Sequence, residues 1–217
     1  MNHFRRLLDM YKKSRLVDTP FIPVLIRYVF FRLRGLNLVI SNGVKICGLR
    51  NIQTDGCVQI GMDYIGFMNR YDRTYLNVGG SCQFDGRFKI GKGCRFDIGN
   101  QAKVRIGKGG YINPNCTFVI MHGLKVGENC AISWGCNFLD NDFHTILSNE
   151  QRLPKGGEIV IGNHVWVGSN VTILKGVHIS DNTVIAAGSV VTKSFQESNV
   201  ILAGVPAKVI RKDVRWN

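Results

Sequence analysis

Acidic side chains are scarce in this sequence: 15 Asp and Glu stand against 28 Lys and Arg, a formal net charge of +13. Such a surface suits anionic partners, whether nucleic acid, an acidic polysaccharide, a phosphate-bearing cofactor or a lipid face. Cysteines at metal-binding spacing are missing as well. Seven Cys, an odd number, fall at 47, 57, 82, 94, 116, 130 and 136 with no CxxC pair. That fits no zinc template and agrees with a reduced, intracellular chain. Long apolar runs are also absent. The best, in PFIPVLIRYVFFRLRG, is broken by Arg27 and falls short of the roughly 18–20 residues a membrane span needs. No small-residue cleavage site follows it, so a signal peptide is not expected either. Pro is rare at 5 residues while Gly reaches 25, an excess that needs a structural reason.

What the chain does have is a repeat. Apolar residues recur every sixth position: Val78, Phe84, Ile90, Phe96; then Ile106, Ile112, Phe118; then Val126, Ile132, Phe138; then Ile161, Val167, Ile173, Ile179, Ile185, Val191. Gly follows many of them, as in VGG, IGK, VGE, IGN and VGS. Four residues after the apolar position comes a small one: Val165, Val171, Val177, Thr183 and Ser189 in the last run, and Cys82, Cys94, Cys116, Cys130 and Cys136 before it. Five of the seven Cys are thereby small inward packing residues rather than nucleophiles. A period of six matches neither an α-helix nor a simple alternating strand. It is the hexapeptide pattern of a parallel β-helix, an all-β solenoid in which three hexads make one triangular coil. Such a coil has two open ends to cover.

The expected domain map has three parts. Residues 1–36 form a basic, partly helical segment, residues 37–212 the β-helix, and residues 213–217 a tail. The first 35 residues hold eight Lys or Arg and only two Asp, with Leu7, Leu8 and Tyr11 at helical spacing. Two readings stay open for them: a helical cap on the coil, or a basic amphipathic element against an anionic membrane face. At the other end, PAKVIRKDVRWN is placed to finish the coil.

The register slips between Phe96 and Ile106 and between Phe118 and Val126. Its large break runs from Phe138 to Ile161, where a loop insertion, residues 139–160, carries DNDFHTILSNEQRLPKGGE. Long loops on a rigid scaffold often carry function.

In INPNC, the DNDFH loop, IGNHVWVGSNVTILKGVHISDNTVIAAGSVVTKSF and NVILAGVPAKVIR, residues 76–212 resemble the hexapeptide-repeat acyltransferases. The likeness is to the branch of galactoside, maltose and bacterial polysaccharide O-acetyltransferases. It implies a left-handed parallel β-helix, a homotrimer with clefts between subunits, acetyl-CoA as co-substrate, and a carbohydrate acceptor. His144 matches the loop His that serves as general base. A neutral imidazole has the pKa to take a sugar hydroxyl's proton as the oxygen attacks a thioester. Asp140 and Asp142 are the near candidates for fixing its tautomer. By the same resemblance Asn113 contacts the acceptor, and Trp166 lines the cleft. Ser169 and Ala187 flank the pantetheine arm. Thr192, Lys193, Lys208 and Arg211 meet the adenine and phosphates.

The chain also departs from the small-sugar enzymes. His122, in VIMHG, stands where they carry acidic residues, and is placed to bind an anionic acceptor or, as a lesser option, to act as the base. A basic N-terminal segment replaces their acidic one. With the net charge, this points to an acidic surface glycan such as capsule or O-antigen, handled in the cytoplasm, with peripheral contact of residues 1–35 with the inner membrane as a further expectation. An N-acetyltransferase of a nucleotide-linked amino sugar is the alternative. A metal enzyme of the carbonic anhydrase type is less favoured, because His122, His144 and His164 are 22 and 20 residues apart with no close pair. No metal is expected, and no nucleic acid, since an aromatic-and-basic groove motif is absent.

Overall fold

The computed structural model describes residues 3–63, 66, 68, 69 and 71–217. Two helices lead the chain, α1 (His3–Leu16) and α2 (Phe21–Leu33). Thereafter the strands visit three faces in fixed rotation. Leu38–Ile40 lies on face 1, Val44–Cys47 on face 2, Ile52–Thr54 on face 3, and Val58–Ile60 returns to face 1. Neighbouring coils pair in parallel, so equivalent residues stack about 4.8 Å apart along each face. This is the three-sided parallel β-helix the hexads announced, and it fits the left-handed form of the resemblance.

Every sixth-position apolar residue from Val78 to Val191 is buried in one continuous core. Phe96, Phe118 and Phe138 pair in register and stack face to face at 4.4 and 4.7 Å. The small positions are buried as well, including Thr183 and Ser189. The Gly excess finds its reason at the edges. Gly135, at φ +71°, lies under Asn170 of the next coil, and a Cβ there would fall 2.3 Å from Asn170 Oδ1. The same Gly-under-Asn stack recurs at Gly93 with Asn115. Asn115 and Asn170 are themselves left-handed, a conformation Asn tolerates better than other side chains.

Both ends are covered. Phe31 of α2 and Leu36 join the main core at its first coil. Met10, Val17 and Val24 form a second cluster with Val39 and Met62. Arg27, which broke the apolar run, donates to the carbonyls of Ser41 and Val44 at 2.9 and 2.7 Å, holding the turn between the first two strands. Buried Lys92 donates to Val17 O at the C-terminal end of α1, and burial lowers its pKa. At the far end Ala207–Arg211 turns back antiparallel on Ile201–Gly204. The tail beyond it is partly packed: Trp216 stacks on His164 at 4.1 Å and donates to its carbonyl. No described helix is long and apolar enough to cross a membrane.

Candidate active site

The loop leaves the coil where face 2 turns into face 3, after Asn137–Leu139, and the coil resumes at Ile159–Ile161. Its base is pinned from both sides. Asp140 is fully buried, and its carboxylate accepts the backbone N–H groups of Met121, His122 and Gly123 at 2.7, 2.7 and 2.8 Å. Those three amides form the same edge one coil earlier. Asp142 pairs with Lys175 on the coil after, and Lys175 also donates to Pro154 O at 2.8 Å. Between these ties the loop is a small hairpin, with Leu147–Ser148 antiparallel to Gln151–Arg152 and a bridge from Asn141 to Gly156.

His144 sits at a sharp turn in this hairpin. Phe143 is held at φ +61°, rare for a bulky residue, by Asn141 Oδ1 accepting its N–H, while the His144 N–H reaches Asp142 O at 2.7 Å. The His144 ring is exposed and makes no hydrogen bond with a described residue. The two aspartates therefore do a different job from the one expected. Asp140 and Asp142 anchor the loop, and neither carboxylate meets the His144 ring. His122 lies at the loop base, its Nε2 2.9 Å from Asn141 Nδ2. Asn141 Oδ1 is taken by the Phe143 N–H, which leaves the Asn141 amide nitrogen toward the His122 ring.

The remaining candidates divide between two edges. At the edge from face 1 to face 2, Asn113 is half-buried. Ser169 and Ala187 stack there on successive coils, with the Gly188 N–H on Ser169 O. Trp166 projects from face 1 beside that edge and donates to Ser133 Oγ at 3.2 Å. Lys208 and Arg211 are exposed on the closing hairpin of face 1. Thr192 and Lys193 lie instead at the edge from face 2 to face 3, the edge of the His144 loop, with Lys193 Nζ 5.7 Å above the Phe195 ring. One chain thus gathers His144, His122, Thr192 and Lys193 on one edge and Asn113, Ser169 and Ala187 on another, with face 2 between them.

Burial pushes the Cys82 thiol up to about 12 and the Cys130 thiol to about 11, so neither supplies a thiolate near neutral pH. Among the described residues no three His, Cys, Asp or Glu side chains converge as a metal site. Lys175, Ser133 and Trp216 were missed by sequence reading. Their partners lie 33, 33 and 52 residues away, and only the coil map brings them together.

A family model for the bacterial transferase hexapeptide, six repeats, matches residues 158–193. Over 214 residues, 97% of this chain and 96% of the relative, the sequence is 34% identical to the uncharacterized 24.8 kDa protein in the cps region of Klebsiella pneumoniae. It is 41% identical over 116 residues to the galactoside O-acetyltransferase of Escherichia coli strain K12, covering 51% of this chain and 55% of that enzyme. Among solved structures, the polysialic acid O-acetyltransferase OatWY superposes with a TM-score of 0.51 at 25% identity, across 81% of this chain and 88% of that one.

Proposed function

The chain belongs to the hexapeptide-repeat transferases and is an acetyltransferase; from that premise we propose that it moves an acetyl group from acetyl-CoA to a hydroxyl of a bacterial surface glycan or its precursor, with an acidic glycan as the acceptor. The observation that carries this reading is the presentation of His144: an exposed, unpartnered imidazole on a loop whose base is tied to the coils on either side. The acceptor oxygen attacks the thioester carbonyl as the His144 imidazole takes its proton. The C–S bond then breaks, and the imidazolium returns the proton to the departing thiolate. No acyl-enzyme is needed, which suits a chain whose buried thiols stay protonated.

The two-edge division supports a homotrimer in which the His144 edge of one copy faces the Asn113 edge of the next. The outer side of face 2 offers a matching surface: Val119, Leu139 and Leu174 form one half-buried aliphatic row in register. Acetyl-CoA lies in this cleft beside Ser169 and Ala187, with Lys208 and Arg211 toward its phosphates. The location is the cytoplasm, against the inner membrane. That placement is favoured by α2, which leaves Ile22, Ile26, Val29, Phe30 and Leu33 exposed beside Arg32 and Arg34.

The test is mass-spectrometric detection of acetyl transfer from acetyl-CoA across acidic and neutral oligosaccharides, amino sugars and nucleotide sugars, with His144→Ala beside wild type. Ester-linked acetyl on an acidic glycan is expected, reduced about 10²–10⁴-fold in a variant of unchanged circular dichroism. Amide-linked acetyl on an amino sugar would replace the acceptor class. Full activity in the variant would remove His144 as the base.

A further inference from the structure

The first coils carry a groove that acetyl transfer leaves unused. It has a volume of about 480 Å³ and is lined by Asn42, Lys45, Tyr71, Arg73 and Tyr75 with the backbone of Gly43 and Val44. Lys45 and Tyr75 are direct neighbours on face 2, and Arg95 is the neighbour of Tyr75 on the next strand. All three side chains point outward and are exposed. They therefore form a cation–aromatic–cation row with steps of about 4.8 Å. Among the described residues Lys45, Arg73 and Arg95 make no ion pair. The carboxylates close by are engaged: Asp97 accepts from Asn77 at 2.9 Å, and Asp72 accepts the Asn69 N–H.

This row does not end at the groove. In register after Arg95 come Thr117, Asn137 and Thr172, all polar. Asn137 opens the strand from which the His144 loop departs. Three strand spacings, about 14 Å, separate the Tyr75 row from the Asn137 row. The groove itself lies at the edge from face 1 to face 2, where Asn42, Gly43, Tyr71 and Arg73 fall between strands, and an extended ligand could run along that edge toward Asn113.

We propose that the Lys45–Tyr75–Arg95 row and its groove form a subsite for an acidic polysaccharide, gripping the polymer at a distance from the sugar being acetylated. The chemistry of the row selects that ligand. Guanidinium and ammonium groups pair with sugar carboxylates. Exposed Tyr rings offer flat apolar surface to a pyranose while their hydroxyls hydrogen-bond. A bilayer would not need a concave groove. The proposal rests on the glycan-acceptor reading but can be tested apart from it.

The experiment measures calorimetric binding of graded oligogalacturonate and oligosialic acid to the intact protein without acetyl-CoA, and then the KM of long and short acceptors. Tyr75→Ala and Arg95→Ala are expected to weaken binding of the long acidic oligomers about tenfold or more. They should raise the KM of long acceptors without lowering kcat. Arg95→Lys should recover part of the loss, and rising salt should weaken wild-type binding. Row-dependent binding of the acidic oligomers with no acetyl transfer would uphold the subsite and overturn the glycan-transferase reading. Transfer to acidic glycans with equal KM for long and short acceptors, unchanged in both variants, would overturn the subsite and leave the transferase standing.

Discussion

The coils after Ile159 and those before Ile106 obey one inward rule with different outward freedom. In the late coils Val160 pairs with His178, Trp166 with Val184 and Thr172 with Val190, each eighteen residues on. In the early coils Leu38 pairs with Val58 twenty residues on, Val58 with Phe88 thirty on, and Lys89 with Tyr111 twenty-two on. The cores are nevertheless equally buried. The interior constrains strand positions alone, and extra residues leave at the edges, where they are free to take on chemistry. On the proposed reading, the late coils present the donor surface and the early, irregular ones the acceptor surface, with the His144 loop at their junction.

That contrast can be broken most severely at the junction. Asp140→Ala should destabilise the protein by about 3 kcal/mol, because three N–H donors, one buried and two partly buried, lose a charged acceptor at once. The urea midpoint measures this, and an unchanged midpoint would show that the loop base does not hold the coils together. A smaller effect sharpens the functional division. Lys208→Ala and Arg211→Ala should each raise the acetyl-CoA KM about tenfold while the acceptor KM stays put. A loss of kcat alone would detach the closing hairpin from the donor. The smallest effect belongs to the late core. Thr183 is buried with its hydroxyl unpaired, in a series that runs Val165, Val171 and Val177 before it and Ser189, whose hydroxyl accepts the Gly204 N–H, after it. Thr183→Val should therefore stabilise the protein, by about 1 kcal/mol, readable as a rise in Tm. A fall would show that the late coils are less uniform than their spacing.

The sequence disclosed what the repeat encodes and little of what crosses between coils. Its hexads gave the buried positions from Val78 onward, and the break after Phe138 gave the loop. Before Val78 the coils are twenty and thirty residues long, so no fixed period marks them, although the strands begin at Leu38. Asp140 looked like a partner for a His four residues on. Its true partners lie 17 to 19 residues back, and become neighbours only when the chain is wound. The Asp142–Lys175 pair is hidden in the same way, and the loop between them defeats counting by six. Arg27 looked like an interruption of an apolar run, and proves to be the clasp of the first turn.

The reversal at the end of the chain has a consequence for how large an object this protein can become. A parallel coil is a template: its last strand offers a row of free amides and carbonyls to any strand that follows, including one from another molecule. Molecules joined end to end in that way would grow as a fibre. Ala207–Arg211 fills this row running the opposite way, and it shows solvent an outer border that carries Lys208, Arg211 and Lys212. Parallel growth is blocked on face 1, so the cations proposed to greet the donor also guard that border.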